Sequence, residues 1–585
     1  MNCGHPVGPV TEGPRQRTQV AAPVPASLAD KMRAAPVTGE RKPVTAVFAD
    51  VVGSTALAES MDPEDWIGIM NRAFELMSRA LYQYEGTIAS LIGDGLLAFF
   101  GAPVAHEDDP ERAALASLAM VEAISEYRSY LAATRELDFR IRIGINTGEV
   151  VVGNVGSDLR YEYSALGDTI NVAARMEAAA PPGGVLVTAE THRFIAARFH
   201  TEDRGEISVK GKSAPVHAFQ IVGRKPVPDA ARGLAGLTSG MVGRGDQLAE
   251  LTRLLDAVRT GKGGVAVISG EPGIGKSRLL AESKRVADAD ERPISFAEGQ
   301  CLSYGQNLPH HLLVDLVRSI IGVAPSSGDR ETRSALHARA ELRLPGPNSN
   351  EVVPYLEHLL SLEQDRSTAD RLEKLDPAGL QAHYVASLHR LIAAEAAAAP
   401  LVLACEDVHW ADPSSIQILE KLLMLLGPEN AVLWILTLRP GVSRDADLML
   451  TAARANFGEA ARELVLEPLS REDSRSLVAN LLEIEALPDP VRHLIHEKSD
   501  GNPFFVEEVI RMLIDGGALE QRNGAWRATQ AIDDIRIPDN LHGLLLARID
   551  ALPGDARHTL LVASVLGRRF AADVLDHVLE SEAAR

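Results

Sequence analysis

At 585 residues the chain is too long for a single hydrophobic core, so several domains are expected. Its 46% hydrophobic and 24% charged residues are those of globular protein, and a formal charge of −21 argues against non-specific attraction to nucleic acid or anionic lipid. Three scattered cysteines exclude a disulfide framework, no apolar run reaches the ~18 residues of a membrane span, and the N-terminus lacks a signal-peptide core; a cytoplasmic protein is expected.

Residues 1–40, rich in Pro, Ala and Gly, read as a disordered leader. One cysteine and one histidine in "NCGHPV" cannot close a tetrahedral zinc site. An apolar strand from Val44 to Val52 follows, then a helical pattern from Pro63 to Tyr84. Next come a strand near Gly86–Leu91, a "GDG" turn, a strand Leu96–Phe100 and a helix from about Glu107 to Ala133. The β-rich "FRIRIGINTGEVVVGNVG" precedes a helix Asp168–Ala180. Strands and helices mixed in this way predict an α+β or α/β domain over 43–222, with a Pro/Ala/Gly linker at 223–240. A second unit, 241–462, opens with an amphipathic helix and a strand–loop–helix, "GGVAVISGEPGIGKSRLLAE". Beyond about Glu463 the pattern reads as helical through 585.

Asp94 stands between two glycines in the apolar run "SLIGDGLLAFFG", and Asp50 ends the strand before "VVGST". A bare buried carboxylate is costly, so each needs a turn to water or a positive partner. Two strand-edge aspartates suit a divalent cation whose shell a nucleotide phosphate completes. Gly53, Ser54 and Thr55 supply backbone N–H groups for phosphate at a helix start. Asn171 and Arg175 lie four apart on one helix face, where a guanidinium can steady charge on a phosphoryl group.

In this order "FADVVGST", "IGDGLLAFFG", "RIGINTGEVVVGNVG" and "YSALGDTINVAARM" resemble the catalytic domain of class III adenylate/guanylate cyclases. The resemblance implies a ferredoxin-like α+β core working as a homodimer with shared active sites. The ribose 3′-hydroxyl would attack the α-phosphate, releasing pyrophosphate. It assigns Asp50 and Asp94 to two metal ions, Mg²⁺ or Mn²⁺, Asn171 to the ribose, and Arg175 to the transition state. In "VKGKS", Lys210 or Lys212 corresponds to a triphosphate-binding lysine, with Lys210 preferred. Ser90 stands where many adenylate cyclases place a base-reading Lys, and Ser164 where they place Asp or Thr. Serine both donates and accepts, so ATP and GTP both stay open.

"GEPGIGKS", Gly270 to Ser277, fits a P-loop in its strand–loop–helix context. Gly270, Gly273 and Gly275 would curl the backbone around phosphates, Lys276 would reach the outer ones, and Ser277 would hold Mg²⁺. Glu406 and Asp407, ending "LVLACED", form a Walker-B acidic pair, and Arg439 is a candidate sensor of the γ-phosphate. His310, His311 and His409 lack metal-like partners in the sequence, and Trp66 falls in an ordinary apolar helix stripe, so all four are expected to be structural. With "GMVGRGDQLAELTRLL" and "HEKSDGNPFFVEEV", this half resembles an AAA-like, STAND-type ATPase module binding ATP-Mg. That resemblance implies an α/β P-loop NTPase domain, then a helical lid and partial winged-helix-like segment over 463–585. Similar chains commonly continue into tetratricopeptide-like repeats, so either an absent effector-sensing part or a truncated chain is expected.

The expected function is a nucleotidyl cyclase converting ATP to cyclic AMP, regulated by the fused ATPase. Its rivals are a signalling ATPase whose cyclase-like domain only dimerises or senses nucleotide, and a guanylate cyclase. Expected partners are a second copy of the chain, a nucleoside triphosphate and a protein bound to the C-terminal region.

Overall fold

The computed structural model describes residues 40–59, 61–106, 108–154, 163–166, 168–207, 215–225, 240–290, 292–302, 309–324, 327–439, 443–482, 499–515, 519–522 and 525–528, with isolated positions besides. The expected leader up to residue 39 and nearly all of the expected winged-helix-like stretch past 528 lie outside these residues. The chain divides into two compact units, each taken by itself below.

The first unit runs β1 (Glu40–Val51), α1 (Ser54–Glu59), α2 (Pro63–Gln83), β2 (Thr87–Ile92), β3 (Gly95–Phe100), α3 (Asp109–Arg135), β4 (Ile141–Asn154), β5 (Tyr163–Leu166), α4 (Asp168–Ala179), β6 (Val185–Thr188), α5 (Ala189–Ile195), β7 (Phe199–Ile207) and β8 (Val216–Arg224). Its sheet has the order β2-β3-β1-β4-β6-β8-β7, with β5 pairing β4. β1 is central and antiparallel to both β3 and β4, which explains its nearly continuous apolar run. In α2, Asp62 caps the first turn by accepting from Glu64 N–H at 2.8 Å, and Pro63 opens the helix. Its buried residues Ile69, Met70, Ala73, Phe74, Met77 and Leu81 recur at helical spacing.

Helix α4 lies on β4 through Thr169, Val172, Ala173, Met176 and Glu177. Gly144 permits that approach. A Cβ there would sit 2.0 Å from Glu177 N and 2.3 Å from the Ala173 carbonyl oxygen, both backbone atoms.

The second unit opens with α6 (Gly245–Arg259), β9 (Gly264–Gly270), α7 (Lys276–Asp288) and β10 (Ser295–Gln300). A helical insertion follows: α8 (His311–Ile321), α9 (Asp329–Arg343), α10 (Pro347–Leu359), α11 (Arg366–Leu372) and α12 (Pro377–Ala398). Then come β11 (Leu401–Glu406), α13 (Pro413–Leu425), β12 (Val432–Leu438), α14 (Arg444–Phe457), β13 (Ala461–Leu466), α15 (Arg471–Leu482), α16 (Pro503–Asp515), β14 (Leu519–Arg522) and β15 (Ala525–Ala528). The five-stranded sheet, β10-β11-β12-β9-β13, is parallel throughout. Its central strands are buried along their length.

The stretch beyond Glu463 is not helical throughout, as the sequence pattern suggested. β13 extends the sheet beside β9, and β14–β15 form a separate antiparallel ribbon. Both are short and rich in charged residues, so neither carries the apolar run that marks a buried strand.

Replacing Gly144 forces α4 off the sheet or bends β4. Gly144→Ala is expected to destabilise this unit by about 3 kcal/mol. Urea denaturation checks it; a loss below about 1 kcal/mol would mean that the helix does not depend on this close approach.

Candidate functional site

The first cluster lies at one end of β1, β3 and β4. Asp50 sits opposite Arg142 of β4, and its neighbour Ala49 pairs with Leu96 of β3. Gly93 and Asp94 form the turn between β2 and β3, closed by the pair Ile92 and Gly95. Gly93 has φ of 64°, which glycine adopts without strain. A Cβ on Gly95 would lie 2.9 Å from the Ala49 carbonyl oxygen and 3.0 Å from Asp50 Oδ1. Glycine at 95 therefore lets the Asp50 carboxylate rest against the turn that carries Asp94.

Electrostatics at this point are unbalanced. Burial raises the Asp50 pKa above its ordinary value, the Asp94 charge raises it further, and Arg142 opposes both. Arg142 donates from Nη2 to Asp50 Oδ2 at 3.3 Å and from Nε to Glu177 Oε1 at 2.5 Å. Burial likewise raises Glu177, against Arg142 and with help from Asp50 and Asp94. Three carboxylates thus lie in one another's field around one guanidinium. Among the described residues no three ligating side chains converge as a metal cluster, but the Asp50 and Asp94 pair offers hard oxygen with excess negative charge, the donor chemistry of Mg²⁺ or Mn²⁺.

Arg142 did not emerge from the sequence reading. Its signal was a lone charge in the apolar strand "IRIGI", the same anomaly that Asp94 presents. Only the β1–β4 register reveals that it faces Asp50.

The remaining expected residues fall around this cluster or beyond description. Gly53 caps α1, its carbonyl oxygen accepting from Leu57 N–H at 3.1 Å, so Ser54 and Thr55 occupy the first turn just after Asp50. Ser90 is exposed on β2, opposite Leu97. Ser164 pairs with Gly153 in β5, while Lys210 and Lys212 lie outside the described residues. Asn171 is exposed and Arg175 half-buried. At 100° per residue Asn171 lies opposite the buried stripe of α4 and Arg175 on its flank. Arg175 Nη1 is buried and has no hydrogen-bond partner among the described residues.

The second cluster gathers at the carboxyl ends of the parallel strands, where open α/β sheets bind ligands. β9 leads into the loop and α7, and Gly275 precedes the helix at φ 104°. Lys276, 7% exposed, donates to the carbonyl oxygens of Gly270 at 2.8 Å and Glu271 at 3.1 Å. Ser277 hydrogen-bonds Glu406, the last residue of β11, whose pKa is raised chiefly by burial. β12 lies between β11 and β9, and Thr437 Oγ1 accepts from Asp407 N–H at 2.9 Å. Arg439, just past β12, stands over the Trp410 ring at 5.9 Å. The structure brings these residues together at one end of the sheet.

Two sequence stretches whose contacts were not foreseen hold the loop from outside. Arg244 Nη2 donates to the carbonyl oxygens of Ile274 at 3.3 Å and Glu467 at 2.7 Å. Asn502 Nδ2 donates to the Pro272 carbonyl oxygen at 2.8 Å, and Phe504 N–H to that of Gly273 at 3.3 Å. A Cβ on Gly273 would come within 2.7 Å of Phe504 Cβ. His310, by contrast, is structural as expected: its N–H donates to Asp412 Oδ2 at 3.2 Å and its ring meets Ser414 and Tyr384.

Comparison with known proteins bears on both clusters. Residues 37–223 match the family model of the adenylate and guanylate cyclase catalytic domain, 241–435 that of the AAA ATPase domain, and 470–527 a domain of unknown function. An uncharacterised protein of Rhizobium meliloti (strain 1021) is 29% identical over 92% of this chain and 50% of its own length. Adenylate cyclase 1 of the same organism is 34% identical over 31% of this chain and 28% of its own. A receptor-type guanylate cyclase of Caenorhabditis elegans is also 34% identical, over 34% of this chain and 18% of its own. The chain therefore spans half or less of the length of these relatives. Among the described residues no helix is long and apolar enough to cross a membrane.

The contact between α16 and the P-loop carries a titratable group. Burial, then the charge of Glu508, raises the Glu507 pKa to about 7. Its folded pKa lies above the ordinary 4.5, so the stability it contributes is complete below that value and lost as pH rises through about 7. Thermal stability of this unit should fall from pH 6 to pH 8, and Glu507→Gln should shrink that fall. An identical pH dependence in Glu507→Gln would show that this carboxyl does not titrate as described.

Proposed function

The chain carries an adenylate and guanylate cyclase catalytic domain followed by an AAA ATPase domain, and from that premise we propose that it converts ATP to 3′,5′-cyclic AMP and pyrophosphate at a homodimer interface, under control of nucleotide bound by the P-loop. The observation that carries this reading is the carboxylate pair Asp50 and Asp94, drawn together at a strand end and short of positive charge. We place the boundary between the two domains in residues 223–240 and the enzyme in the cytoplasm, where its nucleotides are.

Asp50 and Asp94 would hold two divalent ions, which activate the ribose hydroxyl and bind the triphosphate when present. Every other role falls to side chains. Arg142, already between Asp50 and Glu177, keeps a guanidinium within reach of phosphate oxygens, with Lys210 as a second cation. Gly53, Ser54 and Thr55 approach the same oxygens from the start of α1. Asn171 orients the ribose, and the unpartnered Nη1 of Arg175 meets charge developing on the α-phosphate. Asn171, opposite the buried stripe of α4, and Arg175, on its flank, serve the carboxylate pair of a second chain. In the other half, Lys276, Ser277, Glu406 and Asp407 hold ATP-Mg and turn it over slowly, with Arg439 at the γ-phosphate.

Ser90 and Ser164 hydrogen-bond the purine; both accept and donate, so the assay uses ATP and GTP in parallel. Wild-type protein with Mn²⁺ should form more cyclic AMP than cyclic GMP, and Asp94→Ala should form neither. Equal cyclic product from wild type and Asp94→Ala would sink the cyclase reading, and preference for GTP would overturn the substrate. Mixing Asp94→Ala with Arg175→Ala should restore part of the activity through one intact site per heterodimer. Heterodimers that remain silent would refute the shared site.

A further inference from the structure

His409 has no structural reason to be a histidine. It follows Glu406 and Asp407 in the single turn Val408–Trp410 at the carboxyl end of β11. It is 1% exposed, and among the described residues neither Nδ1 nor Nε2 meets a hydrogen-bond partner. Leaving a buried polar group unpaired costs about 1–3 kcal/mol, which an apolar ring of similar shape would avoid. Packing does not explain the choice, since the ring's contact with Trp410, at 5.0 Å between centroids, is one that phenylalanine makes equally well.

The surroundings explain it. Lys276 and Arg439 are the charged groups whose fields act on the ring. They reach it from different elements: Lys276 follows β9, Arg439 follows β12, and His409 follows β11. The strand order β11-β12-β9 makes those three ends neighbours. Two cations and an unpaired ring nitrogen at neighbouring strand ends are the groups that recognise an anion with several oxygens. Lys276 of a P-loop reaches the outer phosphates, and Walker-B acids flank the terminal one. The anion that reaches all of these groups is the terminal phosphate of a bound triphosphate.

We propose that His409 recognises the γ-phosphate of ATP in the P-loop site, donating a ring N–H to one of its oxygens, and thereby separates ATP from ADP. The inference rests on the P-loop reading above. With ADP bound, the ring is left buried and unpaired; with ATP bound, it is satisfied. A site whose polar group is orphaned by the smaller ligand discriminates against that ligand. His409 is thus a recognition residue for the nucleotide state, distinct from the acidic pair that serves Mg²⁺ and water.

The test is displacement of a fluorescent ADP analogue by ATP or ADP with Mg²⁺, in the full chain carrying Asp94→Ala so that the first domain consumes no ATP. Lys276→Ala in that background defines the P-loop signal. If that substitution leaves the signal unchanged, the P-loop reading fails before His409 is in question. In His409→Phe, ADP affinity should hold within about twofold while the preference for ATP falls about tenfold or more. His409→Gln, whose amide still donates, should keep part of that preference. An unchanged ratio in His409→Phe would overturn the proposal. Equal loss of both nucleotides in both variants would overturn it as well, because that is the mark of a purely structural ring.

Discussion

Repulsion between Asp50 and Asp94 is the constraint on which the first domain is organised. Antiparallel pairing of β1 with β3 brings the two carboxylates to the same sheet end, and glycine at 95 removes the side chain that would hold them apart. Arg142 neutralises part of the excess but is shared with Glu177. Without a further cation the arrangement costs stability, since the Asp94 charge adds to burial in raising the Asp50 pKa, and Asp50 and Asp94 add to burial in raising Glu177. In the proposed reading, a divalent ion and a triphosphate would make the same geometry favourable. This strain at a strand end is consistent with the proposed cyclase chemistry, in which ligand supplies the missing positive charge.

The helix that closes the sheet has two opposed faces. Its buried stripe, seated over Gly144, fixes Glu177 against Arg142. Its other face displays Asn171 and leaves Arg175 Nη1 unpaired. One helix thus supports its own carboxylate cluster and also carries the two residues proposed to serve a second chain. The ATPase half applies the same principle to a parallel sheet. Strand ends deliver Lys276, Thr437, Arg439 and the acidic pair to one crevice, and Arg244 and Asn502 brace the loop through its carbonyl oxygens.

Much of this was legible locally. Asp94 between two glycines, the β-rich run of β4 and the glycine spacing of the P-loop are patterns within a few residues. The mixed α+β unit and the P-loop domain followed from them. What escaped depends on long-range pairing. Arg142 gains its meaning from lying opposite Asp50, and His409 from a strand order that places β12 between β11 and β9. β13 and the β14–β15 ribbon were missed because their charged, short sequences lack an apolar period. The role assigned to Arg175 came from family resemblance; the orphaned Nη1 that supports it is a property of packing alone.

The central claim is that Asp50 and Asp94 hold divalent ions for a nucleotide. It is tested most directly by Mn²⁺ electron paramagnetic resonance on the Lys276→Ala chain, which removes the second site, titrated with 3′-deoxy-ATP, which cannot cyclise. The account predicts two bound ions per chain in the presence of nucleotide, lost when Asp50→Asn is added. Equal Mn²⁺ binding with and without Asp50→Asn would contradict it.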